Sequence, residues 1–201
     1  NPEILALERE AMRKVRIPRH RREQWGAQES RLSRAEIIEK LNRENLLPAI
    51  TFIFSRMGCD AAVKQCLTAG LKLTNTEERA EILATAAKYT ANLPEEDLEV
   101  LGYREWITAL ERGIAAHHAG LLPSFKNAVE DLFQRGLVKA VFATETLALG
   151  INMPARTVVL EKLTKWNGEA HVPITPGEYT QLTGRAGRRG IDIEGNAVVQ
   201  W

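Results

Sequence analysis

The sequence predicts an α/β fold, in which a parallel β-sheet is covered by helices on both faces. Short apolar runs rich in β-branched and aromatic residues recur along the chain, and residues 49–54 are the clearest example. Such runs are typical of strands that are buried on both faces. Segments with helix start and stop signals separate the runs, and this alternation is what predicts parallel strands joined by helices.

Capping signals mark the predicted helices. Ser33 with Glu36 forms a capping box that opens a helix to about Leu46, and Thr74 with Glu77 forms a second one. Further helices are predicted over residues 58–69, 103–112 and 123–136, with a short helical turn that ends at residue 150. The predicted strands are residues 49–54, 114–117, 138–143, 157–160 and 196–201.

The segment between the fourth strand and the last helix contains an Asn-Gly pair, Asn167–Gly168, which predicts a hairpin within residues 158–174. Thr175, Pro176 and Glu178 then supply the N-cap, the first-turn proline and the capping-box acid of a final helix. In open α/β sheets ligands bind beyond the carboxyl ends of the strands, so we expect functional residues directly after the strands.

Length and charge place few limits on function. The 201 residues fit one domain, predicted over residues 33–201, plus an extension over residues 1–32. The 27 Lys and Arg residues nearly balance the 26 Asp and Glu residues, so net charge does not indicate the partners. The extension is a solvated linker or a basic strip that touches nucleic acid. Its basic residues are Arg9, Arg13, Lys14, Arg16, Arg19, Arg21 and Arg22.

The two cysteines, Cys59 and Cys66, are seven positions apart. On a helix this spacing separates them by two turns, too far for a disulfide, so we expect reduced core thiols in a cytoplasmic protein. No apolar stretch approaches membrane-spanning length and no secretory signal is visible, so we predict no membrane association. The chain begins with Asn1 rather than Met and ends in a strand-like segment, and we therefore expect it to be part of a longer protein.

The strongest functional signal is the segment 181–190, QLTGRAGRRG. Gln181, Arg185 and Arg188 are spaced four and then three apart, so we expect them to share one face of a helix. Each glycine inside a helix costs about 1 kcal/mol relative to alanine, and the two arginines would repel each other at that spacing. A polyphosphate would offset the repulsion, because the guanidinium fork matches phosphate oxygens. The alternative is a basic surface helix.

Other polar residues follow the predicted strands. Thr144 ends one strand and Thr146 begins a short helix, where hydroxyls and free backbone N–H groups suit a phosphate; an ordinary strand-to-helix cap is the alternative. His117 and His118 are adjacent, so both cannot easily bind one metal from a strand end. Since no cysteine or acid joins them at zinc-like spacing, we predict no metal site.

Four segments of the chain carry a family resemblance: residues 52–56, residues 117–123, residues 144–155 and residues 181–190. Together they resemble motifs of superfamily-two helicases, and they occur in that family's order over roughly residues 48–201. The chain resembles the second RecA-like domain of the superkiller-type DExH-box RNA helicases. The resemblance implies a RecA-like parallel sheet with helices on both faces.

The resemblance assigns two sets of residues. It places ATP with Mg2+ beside Gly150, Asn152, Gln181, Arg185 and Arg188, with Gln181 and the two arginines as catalytic residues and the arginines acting as fingers on phosphate charge. It places single-stranded RNA or DNA, bound without sequence preference, along a second set. That set is Ser55, Arg56, His118, Ala119, Gly120, Thr144, Glu145 and Thr146. For Arg56 and His117 a purely structural role is the alternative.

The sequence contains neither a GxxxxGK[ST] phosphate loop nor an Asp-Glu-x-His box. The family carries both on its first RecA-like domain, so we expect that domain of the same parent chain as a partner and no ATP hydrolysis by this chain alone. The resemblance also implies 3′-to-5′ movement and RNA-degradation machinery as a candidate partner. The alternative is a non-catalytic RecA-like module that binds nucleic acid or protein, for which ATP-facing arginines would be unnecessary.

Overall fold

The computed structural model describes residues 32–150 and 153–200. Contacts within the chain divide it after Leu32, and the unit that begins at Ser33 carries all the features below. The predictions for the basic extension and for Asn152 lie outside the described residues, as do Ile151 and Trp201.

The core of the unit is a five-stranded sheet, and a separate two-stranded hairpin accompanies it. The strands are β1 (Ala49–Phe52), β2 (Ile114–His117), β3 (Ala140–Ala143), β4 (Thr157–Leu160), β5 (Thr164–Trp166), β6 (His171–Pro173) and β7 (Asn196–Val199). The strand order in the sheet is β2-β3-β1-β4-β7, and every neighbouring pair is parallel, as the sequence predicts. The antiparallel hairpin, β5–β6, lies within the predicted hairpin segment.

Helices connect the strands in the predicted order, with one difference in number. The helices of the described residues are α1 (Arg34–Arg43), α2 (Arg56–Thr68), α3 (Thr76–Thr90), α4 (Glu95–Val100), α5 (Tyr103–Glu111), α6 (Pro123–Gln134), α7 (Leu147–Gly150) and α8 (Pro176–Thr183). The sequence did not predict α4, because the segment has no apolar periodicity to mark it.

Several helix boundaries differ by one to three residues from the prediction, and two of these differences have a clear structural cause. The capping box of α3 is formed by Asn75 and Glu78, not by Thr74 and Glu77. The Thr74 hydroxyl instead donates to the Glu111 carbonyl oxygen at 2.5 Å, so a tertiary contact removes it from the cap. The helix α1 has its predicted capping box but ends at Arg43, because Asn45 adopts a left-handed conformation with φ 56°.

Side chains of each strand alternate between two cores, one on each face of the sheet. In β3, Phe142 packs with residues of α1 and α2, whereas Val141 packs with residues of α3, α5 and α6. Cys59 and Cys66 lie in the first core as free thiols, and burial raises their pKa to about 12 and about 11. None of the described helices is long and apolar enough to cross a membrane.

Candidate nucleic-acid and nucleotide sites

The loops after three neighbouring strands meet at the carboxyl edge of the sheet. Phe52, Ala143 and His117 are the last residues of β1, β3 and β2, and they lie side by side in register. The backbone continues this contact, since Thr144 N donates to the His117 carbonyl at 3.3 Å. Three of the predicted segments are therefore brought together at one edge. They are residues 55–56, residues 118–120 and residues 144–146.

The loop after β1 begins the helix α2. Ser55 is its N-cap, and the Ser55 hydroxyl accepts from Gly58 N at 3.2 Å. A side chain at position 58 would not fit, because its Cβ would lie 2.7 Å from Ile53 Cγ2. Arg56 is exposed, and its Cδ lies 3.6 Å from the point where a Cβ of Gly120 would be. The first two loops are thus direct neighbours.

The loop after β2 is held from inside by a histidine. The His118 ring is buried, with Nε2 3.0 Å from Asp60 Oδ1. Its Nδ1 accepts from Gly120 N at 3.1 Å, so the ring proton lies on Nε2 and is donated to the carboxylate. Both ring nitrogens are engaged within the protein, and Ala119 and Gly120 form the exposed part of the loop.

The loop after β3 places its two threonines together. The hydroxyls of Thr144 and Thr146 are 2.9 Å apart; Thr144 is buried and Thr146 is exposed. The helix α7 begins one residue later than expected, at Leu147. Between the threonines, Glu145 presents a carboxylate that accepts from Lys165 Nζ at 3.1 Å, a partner the sequence did not suggest.

The expected helix through the segment 181–190 is wrong, because α8 ends at Thr183 and Gly184 caps it. Backbone pairing with a distant residue replaces the helix: Ala186 forms a parallel bridge with Ala155, and Gly187 N donates to the Ala155 carbonyl at 2.7 Å. Gly187 has φ +90°, which glycine adopts without strain. The shared helix face, the repulsion at helical spacing and the helix-interior cost of these glycines therefore do not apply.

The segment after α8, residues 184–190, is called the arginine loop below. It lies where β4 and β7 begin, since Ala155 precedes β4 and Gly195 precedes β7. A Cβ at Gly195 would overlap the backbone of Ala186 and Gly187, so only glycine fits there. Sequence reasoning missed Gly195. It also expected functional residues after the strands, at the carboxyl edge of the sheet, whereas the arginine loop lies at the opposite, amino edge.

Arg188 is fixed by an acid that sequence reasoning did not single out. Its Nε and Nη2 donate to the two carboxylate oxygens of Asp192, each at 2.8 Å, and its backbone N–H donates to the same carboxylate at 2.9 Å. These side-chain bonds lower the pKa of Asp192 to about 2. The spacing of four residues between opposite charges was the available signal.

The guanidinium of Arg188 retains capacity for an anion. Asp192 occupies one edge of the planar group, while Nη1 has no hydrogen-bond partner among the residues that the structure describes. The Arg188 side chain is 24% exposed, against 5% for Asp192. An oriented, partly exposed guanidinium suits a phosphate oxygen, so this residue fits the nucleotide that the resemblance implies.

The other two predicted catalytic residues, Arg185 and Gln181, lie nearby in the chain but have different surroundings. Arg185 donates from Nη2 to the Ala148 carbonyl of α7, the helix that ends at Gly150. Gln181 is exposed on the last turn of α8. The structure thus brings Arg185 and the Gly150 segment together through Ala148.

The two adjacent histidines face different carboxylates. His117 Nε2 lies 2.8 Å from Glu130 Oε1, whereas His118 faces Asp60. Burial lowers the pKa of His117 despite the opposing effect of Glu130. Within residues 32–150 and 153–200, no three His, Cys, Asp or Glu side chains are grouped as metal ligands.

Comparison with known proteins identifies the family. The family model described as the helicase conserved C-terminal domain matches residues 62–190, which include the loop after β2, the loop after β3 and the arginine loop. The chain belongs to this helicase C-terminal domain family. This agrees with the parallel sheet and confirms the predicted helicase resemblance.

Individual relatives place this helicase domain among HelY and DExH-box proteins. It is 68% identical to the probable helicase HelY of Mycobacterium leprae, over 85% of this chain and 18% of the relative. It is 49% identical to the chloroplastic DExH-box ATP-dependent RNA helicase DExH15 of Arabidopsis thaliana, over 79% of this chain and 13% of the relative. It is 40% identical to the antiviral helicase SKI2 of Saccharomyces cerevisiae, over 82% of this chain and 13% of the relative. The chain therefore spans less than a fifth of these relatives.

Proposed function

We propose that this chain is the second RecA-like half of an ATP-driven helicase, with single-stranded RNA as its substrate. The observation that carries the proposal is the meeting of three loops at the carboxyl edge of β2, β3 and β1. RNA is favoured over DNA because the DExH15 relative is named an RNA helicase. The domain that follows residue 32 is the functional unit, and the first RecA-like domain is its partner.

The carboxyl edge offers groups that suit a phosphate backbone. Arg56 supplies an exposed cation, and Ser55, Thr146 and the exposed backbone at Ala119 supply polar groups, while the N–H of the neighbouring Gly120 is already donated to His118. Contacts of this kind position a strand without recognising its bases, so the proposed binding is independent of sequence. The buried His118 and Thr144 contribute by shaping the loops, and Glu145 by its bond to Lys165.

The arginine loop provides the nucleotide side of the proposal. ATP with Mg2+ supplies the free energy for movement when it is bound between the two RecA-like halves. Arg188 would donate from Nη1 to the charge that develops on the transferred phosphoryl group, while Asp192 binds Nε and Nη2 and keeps the guanidinium oriented. Arg185 connects this loop to the segment after β3, because its guanidinium donates to the Ala148 carbonyl of α7. The phosphate loop and the acidic box come from the first half, so the isolated chain is inactive.

Titration of the isolated chain with a short fluorescent single-stranded RNA tests the proposed strand surface. We expect weak, salt-sensitive binding, and we expect Arg56→Ala to reduce the slope of log affinity against log salt by about 1, since one phosphate contact is lost. Arg43→Ala is the matched control, because Arg43 is 70% exposed at the end of α1. An equal effect of both substitutions, or tight sequence-specific duplex binding, contradicts the proposal.

A further inference from the structure

We propose that Lys165 is a positioning residue that couples the nucleic-acid loop after β3 to the arginine loop, acting through α8. The inference rests on the proposed function and adds a residue that carries communication between its two sites. Lys165 lies on β5 of the hairpin and belongs to neither site.

Lys165 joins two carboxylates from different elements. Its Nζ lies 3.1 Å from Glu145 Oε2, in the loop after β3, and 2.5 Å from Glu178 Oε1, in the first turn of α8. The lysine side chain is only 22% exposed. Without its charge, Glu145 and Glu178 would face each other as like charges, which favours their separation.

The helix α8 extends from this contact to the arginine loop. At its start, Glu178 also accepts from Thr175 N at 2.8 Å, so the lysine is attached to the N-cap itself. At its end, Gly184 leads directly into the loop that carries Arg185 and Arg188. A single short helix moves as a stiff unit, so a displacement at Glu178 reaches the arginines.

A second contact joins the segment after β3 to the arginine loop directly. Arg185 donates to the Ala148 carbonyl, and Ala148 lies three residues after Glu145 in the same segment. The segment after β3 is therefore attached to both ends of α8, through Lys165 at the start and through Arg185 at the end. A shift of this segment when a strand binds is transmitted to the arginine loop at two points, and the bond to Lys165 sets the first of them.

The coupling is measured in the full-length parent helicase. The affinity for a short fluorescent single-stranded RNA is determined with and without a non-hydrolysable ATP analogue and Mg2+, and the ratio of the two affinities is the coupling factor. We expect Lys165→Met to lower this ratio toward one, by about fivefold or more, and Lys165→Arg to retain most of it. Lys162→Met is the matched control, because Lys162 is an exposed lysine between β4 and β5, three residues before Lys165.

The outcomes separate this inference from the proposed function. If the ATP analogue does not change the RNA affinity of the wild-type protein, the proposed function and the inference are both overturned. Wild-type coupling that persists unchanged in Lys165→Met overturns the inference alone. If thermal melting shows that Lys165→Met does not fold, Glu178→Gln replaces it, since this change keeps the side-chain shape and removes the charge. An unchanged ratio in Glu178→Gln also overturns the inference.

Discussion

Arg188 and Asp192 are joined by three hydrogen bonds, two from the guanidinium and one from the backbone N–H of the arginine. A carboxylate that binds both the side chain and the backbone of one residue limits the rotamers of that residue. The guanidinium is therefore oriented before any phosphate arrives, which lowers the entropy that binding or catalysis must overcome.

Removal of the Asp192 charge is expected to impair turnover. Asp192→Asn in the full-length helicase leaves at most one good acceptor for Arg188, and loss of orientation at a catalytic group costs about 10-fold to 100-fold in rate. Steady-state ATP hydrolysis with saturating RNA measures the turnover number. Glu194→Gln is the control, because Glu194 is an exposed acid two residues further along the chain. Faster turnover in Asp192→Asn would instead show that the acid restrains the arginine.

The close contact at Gly195 predicts that a larger side chain at this position lowers both stability and turnover. Gly195→Ala forces a Cβ into the backbone of Ala186 and Gly187, and overpacking of this kind typically costs about 1–3 kcal/mol. We expect a melting temperature lower by about 2–4 °C per kcal/mol, together with reduced turnover. Gly177→Ala is the control, since the nearest atom to its Cβ is 4.0 Å away. Equal stability of the two variants would mean that the arginine loop is not seated as described.

Burial of His117 predicts a dependence of stability on pH. Its pKa is lowered in the folded chain, so the unfolded chain takes up the proton more readily. This contribution to stability is complete above the ordinary pKa of 6.5 and is lost as the pH falls below it. Urea unfolding between pH 8 and pH 5 should show the loss in the wild type and a flatter dependence in His117→Gln. The exposed His171→Gln should behave like the wild type, and a flatter dependence there would contradict the assignment.

Most of the fold follows from local sequence patterns. Residues 49–53 of the predicted run 49–54 are buried, and the capping box of Ser33 and Glu36 forms as predicted. The strand-end loops were expected at one edge because parallel strands all end on the same side. Sequence placed the α3 cap one residue early, because the Thr74 hydroxyl has a tertiary partner that local spacing does not reveal.

The arginine loop shows where local patterns fail. Helical spacing predicted a common face for Arg185 and Arg188, but pairing with Ala155, some thirty positions earlier, ends the helix first. The roles of Asp192 and Lys165 depend in the same way on contacts made after folding. Residue types and order identified the family's motifs, whereas the geometry that orients the side chains required the three-dimensional structure.

We propose that this domain completes an ATP site formed with another RecA-like domain, and Arg188 is the residue that tests this proposal most directly. The decisive measurement is steady-state ATP hydrolysis by the full-length helicase with saturating single-stranded RNA. We predict that Arg188→Ala lowers the turnover number by about 10³-fold or more while KM for ATP changes much less, because the arginine acts on charge that develops during transfer.

Three further variants complete this measurement. Arg188→Lys should rescue poorly, since an ammonium lacks the planar fork, and Arg185→Ala should be damaging with a larger binding defect. Arg189→Ala should be mild, because Arg189 is an exposed residue of the turn that follows Arg188. Wild-type turnover in Arg188→Ala, or an Arg189→Ala defect as large as that of Arg188→Ala, would contradict the account.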